Sequence, residues 1–131
     1  MNREGFTVIE IIAVLVILGI LAAVGFSRYL NLADETRIKA AQGAIAEVKG
    51  RLASAQAKYM MHNNGIAPTS LQLYNYATSA NAYVNVQNLS NVGSDFVATV
   101  ATGTPIPIAV TVVQGTTVAN VTGNFRAAGD P

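Results

Sequence analysis

An apolar run broken by one carboxylate constrains this chain more than any other feature of its sequence. The 21 residues from Phe6 to Phe26 contain a single formal charge, on Glu10. As an α-helix rising about 1.5 Å per residue, the run can cross a hydrocarbon core of about 30 Å. An ionisable group in such a segment is costly and usually marks a functional pairing. The sequence therefore predicts a membrane-spanning helix in which Glu10 has a role.

The run does not have the form of an ordinary secretory signal. Such a signal has an apolar core of about 7 to 15 residues followed by a small-residue cleavage site. Here the run is longer, and Leu21-Ala22-Ala23 continues into Val24-Gly25-Phe26 instead of a polar mature start. The small residue and the polar leader, residues 1–5, lie before the apolar run.

Two stretches resemble the amino-terminal pattern of type IV pilins and pseudopilins: Gly5-Phe6-Thr7-Val8-Ile9-Glu10 and Ile17-Leu18-Gly19-Ile20-Leu21-Ala22-Ala23. In that family a dedicated membrane peptidase cuts after the glycine and methylates the new amino terminus. The resemblance implies prepilin cleavage between Gly5 and Phe6, followed by N-methylation of Phe6. No cofactor, metal or catalytic residue is expected in such a subunit.

The position of Glu10 fits an assembly contact. Four residues separate it from the new amine of Phe6, so both charges lie on one helix face and can be neutralised within the chain or by a neighbour. The resemblance favours the neighbour, with Glu10 setting the register as a subunit leaves the bilayer for the filament base. The alternative is a helix-end carboxylate that reaches the lipid headgroups.

Two glycines are expected weak points of the membrane helix. Many relatives carry proline near the position of Ser27, whereas this chain offers Gly19 and Gly25, each costing about 1 kcal/mol relative to alanine. Gly19 also stands four residues before Ala23, a small-residue spacing that lets helices approach closely. Both could equally be ordinary membrane-helix glycines, because glycine is common there.

The expected fold class is α+β, of the type IV pilin kind: a long amino-terminal helix on a small antiparallel sheet. We assign residues 1–5 to the leader, 6–27 to the membrane and filament-core helix, and 28–65 to its amphipathic continuation. Residues 66–131 form the αβ-loop and the sheet of the outer domain.

The amphipathic continuation carries an apolar seam with three- and four-residue spacing. A helix from Phe6 to about Met61 is predicted, ended by Asn63-Asn64-Gly65, with Gly65 as a left-handed cap. We expect the seam to pack on the chain's own sheet, the alternative being an intermolecular coiled coil. Its members are Ile38, Ala41, Ile45, Val48, Leu52, Ala55 and Tyr59.

The outer domain shows one helix signal and several strand signals. Thr69 or Ser70 is a candidate cap for a short helix that ends near Tyr76. Pro107 predicts an edge strand or a bulge at its position, and the tail Arg126–Pro131 is expected to be loose. Alternating residues predict three or four antiparallel strands: Val84–Gln87, Phe96–Val100, Ile106–Val112 and Val118–Thr122.

Composition weighs against an enzyme or a metal protein. The chain has no cysteine, so the disulfide that closes a carboxyl-terminal loop in many pilins is excluded. The only histidine, His62, could be combined with Ser94 and Asp95 into a hydrolase triad, but no nucleophile-elbow sequence supports it. Calcium needs six to eight oxygen ligands, whereas Asp95 and Asp130 are the only carboxylates after Tyr59. That shortage, and the lack of tryptophan, weigh against the major pseudopilin of type II secretion.

Three function classes remain. The first is a structural subunit of an extracellular type IV pilus, and the second is a pseudopilin of a type II secretion system. The third is a DNA-binding pilin, for which the solvated helix face is the ordinary alternative. Its basic face would comprise Arg37, Lys39, Lys49, Arg51 and Lys58.

The resemblance also implies partners and a location. The partners are other copies of the chain in a helical homopolymer, the prepilin peptidase and an inner-membrane assembly platform. The chain would lie in the bacterial inner membrane before assembly and in an extracellular pilus afterwards, or in a periplasmic pseudopilus in the second class. The stretch Arg28–Glu35 looks like the mannose-sensitive haemagglutinin pilin subgroup. Binding of surfaces or DNA has no support in the sequence.

Overall fold

A computed structural model of the chain describes residues 5–79 and 89–131. It confirms the α+β class, with a long amino-terminal helix followed by an antiparallel sheet. The predicted strand Val84–Gln87 lies outside the described residues. The described elements are α1 (Val8–His62), α2 (Ser70–Thr78), β1 (Phe96–Val100), β2 (Ile106–Val113) and β3 (Thr116–Phe125).

The chain divides into two compact units, Met1–Glu35 and Thr36–Pro131, and α1 contributes residues to both. By length and composition α1 can cross a membrane, and its apolar portion lies in the first unit. In the second unit, the rest of α1, α2 and the sheet enclose the hydrophobic core.

The apolar seam of α1 packs on the chain's own sheet and α2, as predicted. Ile45 is 5% exposed, and Val48 and Leu52 are fully buried in the core. Ile38 and Tyr59, the two ends of the seam, are only half-buried. Ala44 joins the buried set because three- and four-residue steps from Ala41 and Val48 place it on the same face.

The sheet has the order β1-β2-β3 with both pairs antiparallel. Ile106, Ile108 and Val110 are buried and alternate along β2 with more exposed residues. The pairing with β1 then shifts between Val97 and Ala98, where Thr111 is an extra residue of β2 that reverses the alternation. Val113 is therefore buried, whereas Val112, the last residue of the predicted strand, is only half-buried.

The prediction of an edge strand or bulge at Pro107 was wrong. β2 is the central of the three described strands, and Pro107 pairs with Asn124 of β3 without a register shift. The Pro107 carbonyl accepts a hydrogen bond from the amide of Ala101. Because the nitrogen and carbonyl of a strand residue point to the same neighbour, the missing N–H of Pro107 faces a position just beyond Val100, the last residue of β1. The proline therefore costs β2 little.

The helix ends follow their sequence signals. Asn64 has φ of 52° and Gly65 has φ of 83°, and the Gly65 amide donates to the carbonyl of Met60 at 2.8 Å. This bond makes Asn64 the left-handed cap, and Gly65, the predicted cap, is the left-handed residue that follows it. Thr69, not Ser70, is the N-cap of α2. Its hydroxyl accepts from the amide of Gln72, whose side chain accepts in turn from the Thr69 amide, a complete capping box.

The tail Arg126–Pro131 is held in place, which contradicts the expectation of a loose end. Ala127 is 3% exposed and belongs to the core. The Asp130 carboxylate accepts hydrogen bonds from the Ser70 amide at 2.7 Å and from the Ser70 hydroxyl. The Gly129 amide donates to the carbonyl of Pro68 at 2.9 Å. We call Ser70, Ala127, Gly129 and Asp130 the carboxyl-terminal clasp.

Candidate processing and assembly site

Helix α1 begins just after the predicted cleavage point. Gly5, Phe6 and Thr7 are not helical, and the helix starts at Val8, two residues later than predicted. The Gly5–Phe6 peptide bond therefore lies in a non-helical part of the chain, ahead of the first helical turn.

Thr7 and Glu10 form a capping box that determines where the helix starts. The Thr7 amide donates to the Glu10 carboxylate at 3.0 Å, and the Thr7 hydroxyl accepts from the Glu10 amide at 3.4 Å. The first bond satisfies the Thr7 amide, which has no partner within the helix, whereas the Glu10 amide also donates to the Thr7 carbonyl at 3.1 Å. Sequence analysis missed the role of Thr7, although Thr-x-x-Glu ahead of an apolar run is the known signal for this motif.

The capping box gives Glu10 a defined electrostatic position. Its carboxylate lies in the first turn, where the amide dipoles of a helix favour negative charge. It also accepts a hydrogen bond from the amide of Thr7, the residue that follows Phe6 in the chain. Cleavage between Gly5 and Phe6 would convert the nitrogen of Phe6 into a free amine close to the carboxylate.

The helix that follows this site is apolar and uncovered. Every large hydrophobic side chain from Phe6 to Phe26 has at least half of its surface exposed, from 51% for Ile11 to 85% for Phe6. A side chain added at Gly19 or Gly25 would meet no atom within 4 Å. The helix is continuous through both glycines, and their role as weak points stays a prediction.

The three residues that could be combined into a hydrolase triad lie on different elements of the fold. His62 is the last residue of α1, whereas Ser94 and Asp95 lie in the turn before β1, and all three are exposed. No group of three metal-binding side chains occurs among the described residues.

Part of the basic face of α1 has a structural use. Arg51 forms an ion pair with Glu47 one turn earlier. It also donates to the carbonyl of Asn91 at 2.9 Å, which joins α1 to the segment ahead of β1. Lys58 likewise interacts with another group. These contacts leave less of the face available to a nucleic acid than the sequence pattern indicated.

Comparison with known proteins identifies the amino-terminal region. Residues 1–26 match the model of the prokaryotic N-terminal methylation motif, which defines structural pilin-type proteins and not an enzyme class. The match ends before Arg28–Glu35, so the finer resemblance to the mannose-sensitive haemagglutinin subgroup stays a prediction. Neither the curated proteins nor the solved structures contain a match to this chain. The chain thus carries at its amino terminus the prepilin-type signal of type IV pilins and pseudopilins.

Proposed function

We propose that this chain is a structural subunit of an extracellular type IV pilus. Prepilin peptidase cuts it between Gly5 and Phe6 and methylates the amine of Phe6. The subunit waits in the inner membrane and joins the filament through the apolar half of α1 at an assembly platform. The observation that carries this proposal is an apolar helix, exposed on all sides, whose single carboxylate lies beside the cleavage point.

The exposure of the helix supports a polymer. A helix that is apolar all round is stable in lipid or inside a bundle of other helices. Lipid covers the residues Phe6 to Phe26 before assembly. Once the subunit leaves the bilayer, the same helix of neighbouring copies in a homopolymer can bury these apolar side chains. The outer domain has its own core and does not need those contacts to fold.

The capping box supports a two-stage role for Glu10. Before cleavage the carboxylate accepts the Thr7 amide and is stabilised by the dipoles of the first helical turn. After cleavage the nearby Phe6 amine supplies a positive charge, and a neighbouring copy supplies the same amine. Burial of both charges in a filament core is costly unless they pair, so only the correct register is stable.

A periplasmic pseudopilus is the second candidate, because the methylation motif is common to both kinds of subunit. The sequence favours the pilus, since the chain has no tryptophan and few carboxylates beyond α1. The place where the polymer accumulates separates the two. A pilus is released from the cell surface by shearing, whereas a pseudopilus stays with the periplasm and inner membrane.

The test compares Glu10→Ala with Asp95→Ala, a control that removes a carboxylate from an exposed turn of the outer domain. Both variants should reach the membrane at the parent level, because removal of an intramembrane charge eases insertion. Only Glu10→Ala should lower the ratio of sheared filament to membrane-pool subunit, by about tenfold or more. Equal filament yield from Glu10→Ala and the parent would contradict an assembly role for Glu10.

A further inference from the structure

The helix segment just after the membrane run is as uncovered as the run itself. We call residues 27–35 the juxtamembrane segment. All of its residues are exposed except Ala33, which is half-buried. Tyr29 is 69% exposed and Leu32 is 61% exposed. The segment is about 14 Å long and lies beyond a 21-residue span, so hydrocarbon does not cover it. No described residue covers its apolar side chains either.

Two opposite charges of the segment have no partner within the described chain. Arg28 and Glu35 are both exposed, and neither forms an ion pair or a side-chain hydrogen bond with a described residue. Asp34 and Arg37, by contrast, each interact with another group.

Helix geometry places the two charges on one face but too far apart to meet. Arg28 and Glu35 are seven residues apart, which at 3.6 residues per turn is almost two full turns and about 10.5 Å along the axis. Leu32 lies between them on the same face, four residues after one charge and three before the other. One chain therefore presents a positive end, an apolar centre and a negative end in line.

The same face continues the one that carries Glu10. Eighteen residues separate Glu10 from Arg28, which is five full turns of an ideal helix. A copy that contacts the Glu10 side of the membrane run therefore also lies against Arg28 and Glu35.

We infer that the juxtamembrane segment is a contact between neighbouring copies of this chain, in which Arg28 of one copy pairs with Glu35 of the next. Two parallel helices offset by about two turns bring these charges together and place Leu32 beside the pair. Since each chain has both charges, the contact is head-to-tail and repeats without closing, as a filament requires. The inference rests on the proposed polymer and adds the residues that set its offset.

A lipid headgroup is the rival occupant of Arg28. A phosphate would satisfy the guanidinium of Arg28, but it would repel Glu35 on the same face. A second copy satisfies both charges at once, which is why the charge pattern favours it.

Charge exchange tests the pairing in the native host. Arg28→Glu and Glu35→Arg each place like charges together in the interface and should lower the assembled fraction about tenfold or more. The double variant R28E/E35R restores opposite charges and should recover most of the assembled fraction. The matched control R28E/D95R has the same net charge as the parent, but its new arginine lies in an exposed turn of the outer domain. It should assemble as poorly as Arg28→Glu alone.

Cysteine cross-linking gives an independent measure because the chain has no cysteine of its own. Residues 28 and 35 of one helix are about 10.5 Å apart, beyond the Cα separation of about 7 Å that a disulfide can bridge. In oxidised filaments, R28C/E35C should therefore give a ladder of covalent oligomers. Either single variant should stay monomeric, because the offset keeps identical positions apart.

The outcomes separate this inference from the proposed function. If the parent chain is absent from every polymer fraction, the proposed function fails. If the parent assembles but R28E/E35R stays as poor as the single variants, and R28C/E35C gives no ladder, only the pairing is wrong. If Arg28→Glu instead depletes the membrane pool and leaves the assembled ratio unchanged, Arg28 is a headgroup anchor and the inference is overturned.

Discussion

The carboxylate of Asp130 holds the amino terminus of α2 through both the amide and the hydroxyl of Ser70, sixty positions earlier in the chain. The same carboxylate accepts the amide of Ala127 at 3.2 Å. Ser70 is completely buried. The clasp thereby joins the end of the sheet to the α1–α2 connection in a chain that cannot form a disulfide.

Removal of the clasp carboxylate should destabilise the outer domain. Asp130→Asn keeps one acceptor but replaces the other oxygen with an NH2 donor, which leaves the amide of either Ser70 or Ala127 facing a donor. We expect a lower Tm than the parent. Asp95→Asn is the control, since that exposed side chain has no described hydrogen bond, and its Tm should equal the parent's. Equal melts of both variants would show that the clasp contributes nothing.

The clasp also predicts a pH dependence. The hydrogen bonds from Ser70 hold the pKa of Asp130 below its ordinary value of 3.8. Because the folded state favours the ionised form, the contribution of Asp130 is complete above that ordinary value and is lost as pH falls through the folded pKa. The Tm difference between parent and Asp130→Asn should therefore be constant near neutral pH and shrink in acid below about pH 4. A difference that grows in acid would have the wrong sign.

Substitution of alanine for glycine should lower the stability of the protein at one position and raise it at another. A Cβ at Gly123 would lie 2.5 Å from the Cγ2 of Ile45, where β3 packs on α1. Gly123→Ala should cost about 1 to 3 kcal/mol of unfolding free energy, because the core must shift. Gly50 is exposed inside α1, and a Cβ there would meet nothing within 4 Å. Gly50→Ala should therefore stabilise by about 0.5 to 1 kcal/mol through helix propensity.

The Gly123→Ala variant tests the packing of β3 on α1, and Gly50→Ala is its control on the exposed side of α1. Urea unfolding of each variant gives the free energy. A tolerated Gly123→Ala would mean that β3 does not lie this close to Ile45.

The outer domain, residues 28–131, should be soluble and monomeric without the apolar run, because its core is complete within that range. Leu52 is fully buried on the seam of α1, and Leu52→Ala should cost about 2 to 5 kcal/mol. The control Ser54→Ala, on the exposed side of the same helix, should change the stability by less than about 0.5 kcal/mol. Sedimentation and denaturant melts measure both properties. A stable oligomer that Arg28→Glu does not dissociate, or a Leu52→Ala melt like that of the parent, would assign the seam to an intermolecular contact.

Sequence periodicity was sufficient to predict the elements that bury a single face against the core. The seam from Ala41 to Ala55 is buried as predicted, since three- and four-residue spacing admits only one helix face to the core. Strand β1 has the predicted bounds Phe96–Val100. Helix α1 and strand β3 differ from prediction mainly at their ends, where local hydrogen bonds decide the boundary.

Contacts between distant residues were beyond sequence reasoning. Nothing near Asp130 indicates Ser70, so the tail looked loose. Pro107 looked like an edge residue because only the ladder shows that its missing N–H lies just past Val100. The phase change that buries Val113 depends on a bulge at Thr111 in the pairing with β1. The role of Thr7, by contrast, was readable from Thr-x-x-Glu.

The intact mass of the subunit from filaments sheared off the native host tests the central claim most directly. The account predicts a single species that begins at N-methylated Phe6, without residues 1–5. Filaments built from subunits that retain Met1–Gly5, or surface filaments that lack this chain, would contradict it.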